Sequence, residues 1–445
     1  MSQRIAIVGS GFLGLTLALR LAERGNSVTV FESASEIGGL ASAWKIGDVV
    51  WDKHYHVTLL SDCYTRKIVE EIGLGNEFEW VETKTGFYTD GKLVSMSNTL
   101  EFLKFPPLDI ISKIRLGATI FYASKVRNWK ALEKISVEDW LTRLSGKQTF
   151  EKIWKPLLKA KLGEAYKETS AAFIWATIQR MYAARNSGLK KEMFGYVRGG
   201  YAKVLEKFSE YLKAKGVEIK LNCQVLTTER KETTKKLKVT FSQNSPNFVR
   251  SVAEDFDKVI LTCPSGVAAK ICPQLADDEK RRLENIKYQG IICASVLMKK
   301  SLSEFYVTNI TDNAPFTGII EMSALVDKKH FGGNALIYLP KYVPPTDELF
   351  EKTDEEIEEI FLDALEKMYA HFERKDVLSF KISRVQNVFP IPTLNYSEHL
   401  PGVKTSVDGV YIVNSAQITN GTLNVNETVQ LAEKTLIELK IKKAI

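Results

Sequence analysis

The chain has 445 residues, 44% of them apolar and 26% charged, with only 13 Pro and 27 Gly. At roughly 100 to 200 residues per domain this is two or three lobes around at least one large core, and such proportions exclude disordered, collagen-like and coiled-coil chains. The 61 Lys and Arg against 54 Asp and Glu leave a net charge of +7, a mild bias toward anionic ligands or surfaces; the basic residues are scattered and form no zinc-finger or RNP pattern, so nucleic acid is not expected as a partner.

Ile5 to Val8 is a short all-apolar run, the mark of a strand buried on both faces of a parallel sheet. It leads into Gly9-Ser10-Gly11-Phe12-Leu13-Gly14, and then into a helical pattern carried by Leu15, Leu17, Ala18, Leu19, Leu21 and Ala22 that Gly25 ends as a left-handed cap. A second strand, Ser27 to Phe31, ends on Glu32. This is the dinucleotide fingerprint in its proper context: Gly9 for the tight turn, Gly11 for backbone approach to a pyrophosphate, Gly14 for helix-to-strand packing, and an acid about 20 residues on for ribose hydroxyls. The first-turn amides at Phe12 and Leu13 would face the phosphates with the positive end of the helix dipole.

After Glu32 and Ser33 the chain reaches Gly38-Gly39 and Leu40, a second place where only backbone intrudes. A nicotinamide nucleotide does not need it, whereas the longer FAD bends back past such a loop. The span from Arg4 to Gly39 resembles the FAD fingerprint of the flavin amine oxidase superfamily, which includes protoporphyrinogen oxidases, carotenoid desaturases and, more distantly, UDP-galactopyranose mutases. Many members carry Arg after the paired glycines where this chain has Leu40. No second GxGxxG occurs downstream, so electrons are expected to come from the substrate rather than from NAD(P)H.

Trp51 to His56 occupies the place of a family turn beside the flavin, which makes His56 the match of the family's ring-side histidine and puts His54 in place of a glycine. On a strand a His-x-His pair points both rings to one face, so three uses stand open: hydrogen bonding, a flavin-side or substrate-side role, or a metal. No acidic or Cys cluster lies near in sequence, and no metal is expected. Residues 100–188 read as mostly helical. Within residues 101–130, six Lys or Arg face two acids, Glu101 and Asp109, among apolar positions. That composition suits a helix lying on a membrane surface as well as one packed on the core with a solvated face. Trp154 to Gly163 resembles part of the family's substrate-capping region, with Lys161 as a functional cation or a salt-bridged surface lysine.

Tyr196 to Ala202 resembles the family's return to the FAD domain, and Val225 matches the position whose backbone contacts adenine. Residues 229–247 read as an exposed hairpin. From 288 to 389, strands and one capped helix, opened by Thr353 and Glu356, read as a sheet forming the floor of a substrate pocket, with Phe316, Glu321, Tyr338, Tyr342 and Tyr396 as candidate lining. The C-terminal strand ends on Asn414 and Ser415, where relatives carry an acid, and Thr422, Leu423 and Asn424 precede a final helix whose N-terminus would face the flavin.

The resemblance implies an α/β fold: a discontinuous Rossmann-like FAD-binding domain (residues 1–95, 195–285 and 401–445) with an inserted α+β substrate part, helical over 96–194 and sheet over 286–400. It implies non-covalent FAD and two-electron oxidation of a small or lipid-like organic substrate, by dehydrogenation or in the manner of an amine oxidase, with hydride passing to flavin N5. A second class is a non-redox sugar-nucleotide mutase, for which Arg180, Arg185 and Arg198 are the candidate diphosphate clamp; a third is a flavin-stabilised binding protein. The five Cys form no CxxC pair, which points to free thiols in a reducing compartment. No signal-peptide pattern follows Met1 and the longest apolar stretch is about nine residues, Gly290 to Met298, short of the roughly 20 that span a bilayer. The expected location is the cytoplasm, with peripheral contact at the inner face of the membrane through residues 101–130.

Overall fold

A computed structural model describes residues 2–185, 193–245 and 248–439. The first strand, β1 (Arg4–Val8), is the centre of a five-stranded sheet that runs, edge to edge, Glu218–Lys220, β2 (Ser27–Phe31), β1, Lys258–Leu261 and Val410–Ile412. Every pairing in it is parallel. Three strands thus come from residues more than 200 positions downstream of β1, which is the discontinuity expected of the nucleotide-binding part. Successive residues of β1 serve opposite layers. Ile5 and Ile7 pack on the helices α1 (Phe12–Glu23), Gly200–Ala214 and Val425–Glu438, whereas Ala6 and Val8 pack on an antiparallel layer.

That second layer is built from Cys223–Arg230, Leu237–Ser245 and Phe248–Phe256. The region read as an exposed hairpin is therefore part of a three-stranded sheet, one face of which is buried through Val225, Leu237, Val239 and Phe241; Asn247, its expected end, lies outside the described residues. Each of these buried apolar side chains contributes about 1.5–3 kcal/mol by leaving water.

The other lobe is a seven-stranded sheet in the order Val377–Pro390, Tyr288–Met298, Ala335–Val343, Gly318–Glu321, Val307–Ile310, Thr85–Thr89 and Lys92–Ser95. Its last two strands correct the boundary drawn at residue 95: they join the substrate sheet through a parallel pairing of Thr85–Tyr88 with Val307–Ile310. Tyr288–Met298 is buried along its whole length. Ile292, Ala294 and Val296 face the helix Asp354–Met368, which the Thr353 and Glu356 capping box opens as the sequence indicates. Ile291, Cys293 and Leu297 face the helical region instead. There the helices Thr99–Lys104, Ile110–Lys125, Val137–Ser145, Lys155–Leu162 and Ala171–Arg185 share one core with the sheet; residues 186–188 of the expected helical run lie outside the described residues. All five cysteines are free.

Candidate functional site: a dinucleotide cradle joined to an aromatic floor

The glycines of the first turn each do what the spacing demands. Gly9 adopts a left-handed φ of 107° and its N–H donates to the Phe31 carbonyl at 2.8 Å. A methyl on Gly14 would stand 2.0 Å from the Gly9 carbonyl oxygen, whereas one on Gly11 would meet nothing within 4 Å. Gly11 is the N-cap of α1 and no side chain caps that helix. Its first-turn amides therefore face open space, as anion binding requires. Gly38 donates to the Ser10 carbonyl at 2.9 Å, bridges to Gly11, and is followed by Gly39, whose Cβ position is 3.4 Å from the Gly11 Cα. The second glycine pair thus lies against the first, with the Gly39 Cβ position over the Gly11 backbone.

Glu32 closes this cradle. One carboxylate oxygen accepts from the Ser10 N–H and hydroxyl at 2.9 and 2.7 Å, the other from the Ala34 N–H at 2.9 Å, with the Ser33 hydroxyl at 3.3 Å. Cys223 donates its N–H to the Glu32 carbonyl at 2.8 Å, so the strand carrying Val225 is fastened beside the acid, and the register shift between Val225 and Thr227 re-aims it there. The side chains of Phe12 and Leu13 are buried. Phe12 packs edge-on against Tyr201 and beside Phe208, leaving only the backbone of both residues for a ligand. These features fit FAD. Gly9, Gly11, Gly14, Gly38 and Gly39 would admit its pyrophosphate and Glu32 its ribose, as the chemistry of each donor set allows.

At the C-terminal end the side chains are more occupied than the sequence indicates. Asn414 is buried; its amide donates to the Cys263 carbonyl at 2.9 Å and accepts from the Ala416 N–H at 2.9 Å. It holds the turn containing Ser415 rather than standing free in place of an acid. Asn424 caps the last helix by accepting from the Glu427 N–H at 3.0 Å and donates to the Thr422 carbonyl at 2.7 Å. Thr422 and Leu423 are half-buried beside that helix N-terminus.

Residues 53–57 are a loop, not a strand, so the two histidine rings do not share a face. His54 has its Nδ1 3.1 Å from the Leu40 carbonyl, which accepts only; the ring is therefore assigned the Nδ1–H tautomer, and its buried Nε2 has no partner. Burial first, and the neighbouring His56 second, lower the His54 pKa to about 4, so it is neutral near pH 7. His56 turns the other way, with Nδ1 3.6 Å from an Asp52 carboxylate oxygen and its ring 4.9 Å from that of Tyr201. Among the described residues no three or more His, Cys, Asp or Glu gather as a metal site.

The same loop is pinned to the sheet. Tyr338 donates to the Asp52 carbonyl at 2.6 Å, Ser295 to the Lys53 carbonyl at 3.4 Å, and the Tyr55 and Tyr342 hydroxyls lie 3.0 Å apart. From the helix Lys155–Leu162, the Lys161 amine reaches over this floor, 3.8 Å from the Tyr342 ring centre and 5.1 Å from that of Phe389. No carboxylate pairs with it among the described residues, and loss of solvation lowers its pKa to about 7. Tyr55, Tyr342 and Lys161 are thus brought together from three regions of the chain, and sequence reasoning had no local signal for Tyr55.

Other expected lining residues lie elsewhere. Phe316 packs against Phe361 on the far side of the sheet. Glu321 is fully buried and accepts from the Leu302 N–H and the Ser323 hydroxyl, which makes it structural. Tyr396 donates to the Ala416 carbonyl at 3.1 Å. Of the candidate clamp, Arg180 donates to Asp62 at 2.8 Å and Arg198 to Glu77 at 2.9 Å; the Arg185 side chain lies outside the described residues.

Comparison with known proteins agrees with this geometry. A probable zeta-carotene desaturase of Synechococcus elongatus is 24% identical over 266 residues, 53% of each chain, so the chain spans about half the length of the curated relatives it matches. Among solved structures, a putative protoporphyrinogen oxidase from Exiguobacterium sp. 255-15 superposes with a TM-score of 0.74 at 18% identity over 99% of both chains. A reduced UDP-galactopyranose mutase superposes with 0.71 at 14% identity over 99% of this chain and 97% of its own. At such identities the likeness shows the fold alone, and FAD as the cofactor is supported by the family match. The profile of the flavin-containing amine oxidoreductases matches residues 14–429, from the last glycine of the first turn to the final helix, and the chain belongs to that family.

Proposed function

We propose that the protein is an FAD-dependent oxidoreductase that carries out two-electron oxidation, as a dehydrogenase or in the manner of an amine oxidase, on a small or lipid-like organic substrate. The observation that supports this best is the Lys161 amine, without a carboxylate partner, over an aromatic floor fastened to the loop that leaves the cradle. In this reading residues 1–95, 195–285 and 401–445 serve the cofactor, apart from the two strands that join the sheet, and residues 96–194 and 286–400 serve the substrate. FAD, held non-covalently, supplies the two-electron acceptor. Phe12, Leu13 and Leu40 offer it backbone atoms, Val225 borders its adenine, and Ser415 and Thr422 to Asn424 border its other end.

Tyr55 and Tyr342, with hydroxyls 3.0 Å apart, offer the substrate aromatic contacts. Lys161, whose proton is in exchange near pH 7, holds at Nζ the proton that the substrate releases. His56, whose ring packs 4.9 Å from that of Tyr201, stands on the cofactor side. The mutase reading is less well supported, because Arg180 and Arg198 are already engaged by Asp62 and Glu77. Among the described residues no helix is long and apolar enough to cross a membrane; a lipid-like substrate goes with a cytoplasmic protein that touches the membrane's inner face through residues 101–130.

The test is the absorbance spectrum of the purified protein before and after heat, followed by anaerobic mixing with a porphyrinogen, a carotene in micelles and a primary amine. Free FAD on heating, and bleaching of the flavin band by one substrate class, is the expected result. A colourless protein that cannot be reconstituted with FAD, or conversion of UDP-galactopyranose without net oxidation, would overturn the reading.

A further inference from the structure

The helix Ile110–Lys125 is turned inside out. Its inward face carries Ser112, Lys113, Thr119 and Ser124 beside Leu116 and Ala123. These polar groups are engaged inside the protein: the Lys113 amine donates to the Leu103 carbonyl at 2.7 Å, and Thr119 joins a chain of hydrogen bonds through Ser145 to the Trp154 indole. The outward face is the apolar one. Ile111 is 68% exposed, Ile114 64% and Phe121 57%, and Leu100 on the preceding helix is 71% exposed. At 3.6 residues per turn Ile110, Ile114, Ala118 and Phe121 form a single stripe, the reverse of the orientation that burial of apolar surface selects in a soluble protein. An exposed patch of this kind marks an interaction site.

We infer that this stripe, continued by Leu100 and Leu103, docks on an anionic lipid surface. Charge identifies the occupant. Lys104, Arg115, Lys125, Arg127 and Lys130 are exposed around it, and none of them forms an ion pair among the described residues. The two acids of the region are engaged: Asp109 caps the helix through the Ser112 N–H at 2.8 Å, and Glu101 accepts from Ser95 and Ser97. Arg115 also donates to the Arg143 and Leu144 carbonyls, and Lys125 and Lys130 lie over the Phe121 and Trp129 rings, but an apolar stripe rimmed by cations without carboxylate partners matches acyl chains beneath anionic headgroups. A second copy of the chain fits poorly, because a two-fold contact sets the same cations against each other. The inference extends the membrane contact named above, but it stands apart from the redox chemistry because it is read by binding and not by turnover.

The experiment is sedimentation of the purified holoprotein with phosphatidylcholine vesicles, with and without phosphatidylglycerol, at low and high salt. Binding is expected with phosphatidylglycerol and is expected to fall with salt. At about fivefold per cation near the surface, Lys104→Gln with Lys125→Gln weakens it by roughly 25-fold. Ile114→Asp with Phe121→Asp abolishes it while leaving bound flavin and thermal unfolding unchanged, since neither side chain is in the core. Absence of binding to anionic vesicles, binding indifferent to both double variants, or a dimer in solution that Ile114→Asp with Phe121→Asp dissociates would each overturn the inference.

Discussion

Replacing Gly11 and Gly14 separately by alanine distinguishes what the cradle does for the fold from what it does for the cofactor. At Gly14 the added methyl would lie 2.0 Å from the Gly9 carbonyl oxygen and 3.1 Å from its carbon. Both are backbone atoms, so no rotamer change relieves the clash and α1 must move away from β1; overpacking of this sort costs about 1–3 kcal/mol. At Gly11 the backbone is already at φ −66° and ψ 172°, which alanine adopts freely, and the methyl meets nothing. Folding then gains about 0.4–1 kcal/mol from the stiffer unfolded chain. The same methyl stands in front of the uncapped first-turn amides. Loss of one hydrogen bond to a charged group there costs about 1.5–3 kcal/mol, roughly ten- to hundredfold in affinity. Urea unfolding of the FAD-free protein and titration by flavin fluorescence read the two effects independently. A Gly11→Ala protein that holds FAD as tightly as the wild type, or a Gly14→Ala protein that unfolds at the same urea concentration, would refute the assignment of roles.

Lys161→Met removes a group whose folded pKa, about 7, lies below its ordinary value of 10.5. Between those values the unfolded chain keeps the proton and the folded protein does not, so wild-type stability relative to the variant rises with pH across this window; parallel urea titrations from neutral to alkaline pH check it, and a flat difference counts against the buried amine. The variant also loses the limb near pH 7 in the pH profile of flavin reduction. Tyr338→Phe leaves the buried Asp52 carbonyl without its 2.6 Å donor and lowers stability by about 1–3 kcal/mol, with weaker FAD retention because the same loop borders the cradle. Thr353→Ala removes a helix cap far from the site, costs about 0.5–2 kcal/mol, and leaves FAD titrations unchanged.

The nucleotide cradle is legible in the sequence because its determinants are local. Ile5 to Glu32 supplies strand, turn, helix and acid within one βαβ unit, although side chains at Gly9 and Gly38 would also meet Thr262 and Leu205 from far along the chain. The substrate floor is different in kind. Tyr55 and Tyr342 meet across 287 positions, and Thr85–Tyr88 pairs with Val307–Ile310, so nothing near residue 95 announces that the preceding strands belong to the other lobe. Glu321, at the end of a strand, illustrates a second limit: strand periodicity sorts side chains into two faces but does not say which face meets the pocket. The helix at 110–125 shows the same ambiguity in helical form, since its pattern contains an apolar and a polar face and only the packed structure shows that the polar one is inside. His54 and His56 mislead for a third reason. Their alternation suits a strand, yet the strand ends at Asp52 and residues 53–57 are a loop, so the pattern does not apply.

Asp52 is where the two lobes become one site. Its carbonyl receives Tyr338 from the substrate sheet, one carboxylate oxygen receives the N–H of Tyr201 at the start of a nucleotide-domain helix, and the other faces His56. The residue is buried, and a buried polar group is costly unless it is hydrogen-bonded. Holding the loop therefore requires both lobes to be in place at once. The cradle is completed by Leu40, whose carbonyl is held by His54 on that same loop, and the floor is completed by Tyr55 one residue later. In the proposed reading, changes at residues 52–56 therefore touch cofactor retention and the aromatic floor together, whereas changes at Gly11 are expected to act on the first and changes at Lys161 on the second.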